Sequence, residues 1–309
     1  MALSPRSGIA LALLFLAGLV PRAEPQQQAA GDDFKLSVSV DLVALQATVH
    51  DRNNSYVSGL REQDFEVYEG GVRQAIRLFR HEDVPVTIGL VIDHSGSMHR
   101  KLAHVAAAAR TFVESSNPED QMFVVNFNEK ATLGLPASIP FSDRAEDLAR
   151  AISNAPAAGQ TALYDAIVKA QERLQAGSRE RKVLIVISDG GDNASAHKLP
   201  EVLKLAEESS ALVYTIGIFD EEDADRNPVV LRRLARATGG EAFFPQRLDD
   251  VVAICQRIAR DIRHQYTIGY VASGASQPDA WRAVRVVAHQ GKQKLSVRTR
   301  SGYIAGGPR

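Results

Sequence analysis

The chain has 309 residues, 45% of them hydrophobic and 24% charged, a globular composition that excludes a wholly disordered, collagenous or coiled-coil protein. Thirty-six basic residues against 37 acidic ones give a formal net charge of −1, which removes the electrostatic ground for a nucleic-acid partner. A single cysteine, Cys255, excludes an internal disulfide framework and any zinc or iron–sulfur cluster built on cysteine.

Residues 1–23 read as an export signal. Arg6 supplies a positive start, and Gly8–Val20 is an uncharged apolar run, shorter than the ~20 residues that a membrane span requires. Retained instead of cleaved, it would be the chain's one membrane anchor. Residues 24–33, rich in Gln and Ala, read as a flexible lead-in. The expected location is therefore outside the cytoplasm: periplasmic, cell-surface or secreted.

From residue 34 to 83 the period is two. Leu36, Val38 and Val40 alternate with polar residues, and the apolar phase then moves to Val43, Leu45, Ala47 and Val49, as a bulge would cause. Asp51–Ser55 is a turn cluster, and Phe65/Val67 and Ile76/Leu78 mark two short strands around the Gly70-Gly71 turn. From residue 84 to 263 apolar strands alternate with helical patterns. Val86–Ile92, Met122–Phe127, Val183–Ile187 and Leu212–Phe219 read as buried strands, and Ala131–Leu133 as a short edge strand. Leu102–Val113 and Leu163–Leu174 carry helical spacing, Asn227-Pro228 opens a helix that Gly239-Gly240 stops, and Val251–Ile262 lines the last one. Cys255 falls on that last apolar stripe, where a buried, inert thiol is expected. Period two returns in Tyr266, Ile268 and Tyr270, in Val284/Val286 and in Leu295/Val297.

The fold class expected is α/β: a doubly wound, mostly parallel sheet over residues 84–263. It is inserted in a small sandwich-like β domain built from residues 34–83 and 264–305, since neither strand-rich piece is large enough for a core of its own.

Ligands of open parallel sheets bind outside the carboxyl ends of the strands. At that end of the first α/β strand stand Asp93, Ser95 and Ser97. Thr161 precedes a helix, and Asp189 follows the strand ending at Ser188. Taken alone, Asp93, Ser95 and Ser97 would also serve as helix caps. With Thr161 and Asp189 they make a set of five hard-oxygen donors, suited to Mg²⁺ or Mn²⁺ far better than to Zn²⁺. Two carboxylates leave charge and coordination for a further acidic group to complete. Asp192 and Asn193 are candidate supports behind the set. His94 is expected on the rim, and Asp165 either faces outward or supports its helix start. The acidic stretch Asp220–Asp225 lacks the glycine and terminal glutamate of an EF-hand and reads as a solvated loop.

Asp-x-Ser-x-Ser at residues 93–97 with the separate Thr161 and Asp189 resembles the metal-ion-dependent adhesion site of the von Willebrand factor A domain. The flanking Gly59–Phe65 and Tyr266–Tyr270 segments resemble those of exported bacterial proteins of that type. The resemblance implies a non-enzymatic adhesion or assembly module that binds a protein ligand through the metal, commonly at an acidic side chain. It also implies that a shift of the last helix could tilt the strand-rich domain. Two alternatives stand beside it: metal-assisted hydrolysis or phosphoryl transfer, for which no phosphate loop or general base is evident, and a structural subunit with a vestigial metal site.

Overall fold

The structure, a computed structural model, describes residues 42–220, 225–272 and 280–305. The expected export signal, the lead-in and the Leu36–Val40 alternation lie outside the described residues, as does most of the acidic stretch after Asp220.

Four strands come first: β1 (Leu42–His50), β2 (Phe65–Glu69), β3 (Val72–Gln74) and β4 (Ile76–Arg80). In β1 the inward residues are Val43, Leu45, Ala47 and Val49, the phase expected for this half of the strand. The hairpin at Gly70-Gly71 differs from expectation. It joins β2 to Val72–Gln74, and the Ile76/Leu78 strand pairs in a different sheet. Alternation marked the apolar residues of β4 correctly, but Val72, which is exposed, gave no signal for β3.

The middle of the chain runs β5 (Val86–Asp93), α1 (Leu102–Glu114), β6 (Gln121–Phe127), β7 (Ala131–Leu133), α2 (Ala145–Ser153), α3 (Leu163–Gln175), β8 (Arg181–Ser188), α4 (Leu199–Glu208), β9 (Leu212–Gly217), α5 (Pro228–Thr238), β10 (Ala242–Phe243) and α6 (Asp250–Arg263). These strands form one sheet in the order β10-β9-β8-β5-β6-β7, parallel except for β7. Every residue of β5 is buried, as a strand covered on both faces requires. One core packs α1, α2 and α6 against Ile88, Leu90 and Ile92; the other packs α3, α4 and α5 against Val91, Val125 and Val186. The sheet is thus doubly wound. Connections leave β5 in one direction towards β6 and return past it to β8, so the loops diverge between β5 and β8.

The chain closes with β11 (Tyr266–Val271), β12 (Trp281–Gln290), β13 (Gln293–Lys294), β14 (Ser296–Arg298) and β15 (Gly302–Ile304). They complete two antiparallel sheets begun by the first segment: β14-β1-β11-β4, and β13-β12-β2-β3 with β15 also on β12. Leu45, Ile268 and Tyr270 from one sheet meet Val67, Val286 and Ala288 from the other in a single core. Residues more than 200 positions apart thus share this core. No helix among the described residues is long and apolar enough to cross a membrane.

Candidate metal centre

Asp93 is the last residue of β5, and Asp189 follows the last residue of β8, so the sheet delivers both carboxylates to the divergence point. Asp93 is fully buried. Its Oδ1 accepts the Ser95 N–H at 2.8 Å and its Oδ2 accepts the Ser188 hydroxyl at 2.6 Å. Burial pushes the Asp93 carboxyl up to about 6 against the pull of these hydrogen bonds, and the Asp189 charge adds to the rise.

The Ser95–Met98 turn carries Ser97 onto Asp189, with Ser95 beside it. The Ser95 and Ser97 hydroxyls lie 3.2 Å apart, and Ser97 Oγ donates to Asp189 Oδ2 at 2.6 Å. The other oxygen of Asp189 accepts the Gly191 N–H at 2.9 Å. Gly190, between them, has φ +81, and a Cβ there would stand 2.5 Å from the Asn227 carbonyl. The glycine lets the loop after β8 turn back beneath α5.

Thr161 is tied in through its backbone. Its N–H donates to Asn193 Oδ1 at 2.9 Å, and its carbonyl accepts the Asn193 and Ala194 N–H groups. The loop before it is bonded to the β5 loop by Gly96 N–H to Gly159 O and by Ala158 N–H to His94 O. Four of the five expected side chains therefore form one hydrogen-bonded run, Asp93 and Ser95 through a backbone N–H, and Thr161 sits on a loop fastened to both ends of it.

Asp192 bonds the helix that follows Thr161. Ala162, the residue before α3, offers no side-chain cap. The first turn is capped by the distant loop: Asp192 Oδ1 accepts the Tyr164 N–H at 3.1 Å, and Ser195 Oγ accepts the Asp165 N–H at 3.1 Å. Asp165 returns the favour, accepting the Ala196 and His197 N–H groups and the His197 ring at 2.7 Å. The Asp165 carboxylate therefore turns to the loop before α4 and bonds no N–H of its own helix start.

His94 is not on the rim: only 1% of it is exposed. Its N–H donates to Phe127 O and its Nε2 lies 3.0 Å from Asn126 Oδ1, so the ring turns into the body between β5 and β6. Burial lowers its pKa, which favours the neutral ring. Alternation in a loop does not fix direction once tertiary hydrogen bonds compete. Ser188, which bonds Asp93 and also accepts the Gly190 N–H, was not singled out; a hydroxyl directly before Asp189 was its one sequence signal. Cys255 is buried, and burial pushes its thiol up to about 12, as the inert reading expects.

Among the described residues no group of three or more His, Cys, Asp or Glu side chains converges. The donors at this site are two carboxylates and neighbouring hydroxyls, all hard oxygens. This chemistry fits a magnesium-like cation that retains water, and it does not fit a soft-metal cage.

The sequence model of the von Willebrand factor type A domain matches residues 87–256. No curated protein matches the chain. Among solved structures, a von Willebrand factor type A protein from Catenulispora acidiphila is 13% identical with a TM-score of 0.51, covering 86% of this chain and 74% of that one. The vWF domain of the type V pili tip protein Mfa5 from Porphyromonas gingivalis is 14% identical with a TM-score of 0.50, over 63% and 99%. Proximal thread matrix protein 1 from the mussel byssus is 18% identical with a TM-score of 0.50, over 63% of this chain and 51% of that one, so the chain spans about half of that protein. At these identities the likeness is one of fold. A family match across more than half of the chain agrees with the doubly wound sheet and its loops, and the chain belongs to the von Willebrand factor type A domain family.

Proposed function

We propose that this protein is an exported binding module in which Asp93, Ser95, Ser97, Thr161 and Asp189 hold Mg²⁺ or Mn²⁺ and, through it, an acidic group of a protein partner. Domains of the family generally serve as protein-interaction or adhesion modules and are generally non-enzymatic. The observation that carries the reading is the continuous polar run from Asp93 through Ser95 and Ser97 to Asp189 at the divergence point of the sheet. When bound, the cation supplies a Lewis-acidic point of attachment for a carboxylate. This chain's residues contribute the rest: the buried Asp93 anchors the turn, Ser188 and Gly191 orient the two carboxylates, and Asn193 holds Thr161 in place. His94 is engaged by Asn126, which favours binding over hydrolysis at this site.

In this reading residues 84–263 are the binding domain, and residues 34–83 with 264–305 form the strand-rich domain that carries it. Titration calorimetry with Mg²⁺ and Mn²⁺ tests the metal role. The wild type is expected to bind, and Asp93→Ala and Asp189→Ala to lose measurable binding while keeping native circular dichroism. Wild-type affinity in both variants would refute the assignment.

A further inference from the structure

Helix α5 presents one uncovered face. Val230, Leu231, Leu234, Ala235 and Thr238 turn into the body, while Val229, Arg232, Arg233 and Arg236 are exposed. That spacing sets all four on one side of the helix. Pro228–Thr238 contains no acidic residue, so nothing on the helix answers the three positive charges. Among the described residues Arg232, Arg233 and Arg236 form no ion pair with a neighbour either. The Arg232 guanidinium lies 4.4 Å from the centre of the Phe244 ring, a contact with the ring face that leaves its N–H groups to take an anion. In a chain of net charge −1 this is a local excess of positive charge, and such a stripe attracts acidic groups.

The stripe starts at the metal centre. Asn227, which caps α5, donates its N–H to the Asp189 carbonyl at 2.9 Å, and a Cβ on Gly190 would stand 2.5 Å from the Asn227 carbonyl. Burial raises the pKa of Tyr164, Asp192 adds to the rise and Arg233 opposes it, which sets Arg233 beside the loops that carry Thr161 and Asp189. The carboxylates around the centre have partners of their own: Asp220 is held by Lys101, Asp225 by Asn193, and Asp192 by the Tyr164 N–H and Ser195. From Pro228 to Arg236 the helix rises about 12 Å, a distance that an extended peptide covers in about four residues.

We infer that the exposed face of α5 continues the partner site, and that Arg232, Arg233 and Arg236 receive further carboxylates of an acidic protein segment whose first carboxylate is held at the metal. The first contact rests on the metal reading; the others rest on the arginines. A planar guanidinium matches a carboxylate through two parallel hydrogen bonds. The occupant is a polypeptide because of what flanks the stripe. A phosphate backbone or an anionic lipid surface would press its charge on Asp192, Asp220 and Asp225 as well, whereas a polypeptide can place carboxylates on the arginines and neutral or basic residues elsewhere.

The probe is octaglutamate with both ends blocked, titrated into the full chain in Mg²⁺ by calorimetry beside a blocked glycine–serine peptide of the same length with a single glutamate. Octaglutamate is expected to bind at least about tenfold more tightly than the single-glutamate peptide and to weaken as salt rises. Exposed ion pairs contribute little singly, so the three arginines are replaced together by glutamine, a comparable helix former. Arg232→Gln, Arg233→Gln and Arg236→Gln in one chain are expected to weaken octaglutamate by about tenfold, to the level of the single-glutamate peptide, with Mg²⁺ affinity and Tm unchanged. Arg233→Gln with Arg236→Gln, which keeps Arg232 on Phe244, is expected to lose part of the same gain. Asp189→Ala separates the two readings: it is expected to lose Mg²⁺ and the single-glutamate peptide and to retain a weaker, salt-sensitive binding of octaglutamate. A wild type that binds no Mg²⁺ while octaglutamate still depends on the arginines would refute the metal reading and leave the arginine face standing. Normal Mg²⁺ binding with undiminished octaglutamate binding in the triple variant would do the reverse. Equal binding of the two peptides, or oligothymidylate or phosphatidylglycerol vesicles binding as tightly as octaglutamate, would also overturn the assignment.

Discussion

Asn193 bears no charge, yet it grips Thr161 from both sides: its side-chain oxygen takes the Thr161 N–H, and its own N–H reaches the Thr161 carbonyl. Asn193→Ala removes the first grip and leaves the second. Groups behind a metal ligand typically change affinity by 10- to 100-fold, so Mg²⁺ affinity should fall by about tenfold in calorimetry while Tm barely moves, since Asn193 itself is exposed. An unchanged affinity would mean that Thr161 is positioned without it. A second single-residue effect lies far from the centre. Asp120 accepts the Val86 N–H at 2.7 Å at the start of β5, and burial raises its pKa from 3.8 to about 6. The folded state therefore holds this proton more tightly than the unfolded chain does. The contribution to stability is full below the unfolded value and is lost as pH rises through about 6. Asp120→Asn lacks this loss, so Tm of the variant minus Tm of the wild type should grow more positive between pH ~4 and ~7; a constant difference would contradict the assignment. At this scale the gathering of Asp93, Ser95, Ser97 and Asp189 at one sheet edge was legible, because their types and spacing mark them in the sequence. The directions of His94 and Asp192 were not, because each is set by a partner from another loop: Asn126 for one and the start of α3 for the other.

A helix end that is closed locally can be read from the chain, and one closed from a distance cannot. α5 is the first case. Asn227 accepts the Val230 N–H, Pro228 occupies the first turn, and Gly239 ends the helix at φ +87. All three were visible as Asn-Pro and Gly-Gly. Asn227→Ala should cost about 1 kcal/mol of stability in denaturant unfolding, with the slope of the transition unchanged; no loss would show that the Asn227 N–H bond to the Asp189 carbonyl alone sets this helix start. α3 is the second case, with its first turn held by Asp192 and Ser195 some thirty residues on. α2 escaped notice for another reason. It has nine residues, with Leu148, Ala149, Ala151 and Ile152 on its buried face, fewer than the roughly eleven over which a helical period is counted. The two-residue β10 carries no period at all; it exists because Ala242 and Phe243 meet Thr215 and Ile216 of β9.

The strand-rich sheets and the α/β sheet need a joint, and a polar cluster between β14 and α6 provides it. Arg298 of β14 pairs with both Asp261 of α6 and Glu241, and Arg257 of α6 takes both oxygens of Glu241 at 2.9 and 3.1 Å. Tyr214 of β9 donates to Asp261 at 2.7 Å and accepts from Gln265 at the start of β11. The expected route from α6 into the Tyr266 strand is therefore doubled by a side-chain bridge that no local pattern announces, because its members are separated by up to 84 positions. Asp261 is only 2% exposed. Removing its cationic partner leaves a buried carboxylate with Tyr214 as its remaining hydrogen-bond donor, and breaking a buried pair from one side typically costs about 3–5 kcal/mol. Arg298→Ala should lose stability on that order in denaturant unfolding. The exposed Arg247–Asp249 pair is a control: Arg247→Ala should lose less than about 1 kcal/mol. Hydrogen exchange separates a joint from a general weakening. If the cluster couples the strand-rich sheets to the α/β sheet, Arg298→Ala should speed exchange at the C-terminal turn of α6 and in β14 more than in β5 and β8. Uniform acceleration across the α/β sheet, or a loss no larger than that of Arg247→Ala, would mean that Arg298 does not join them.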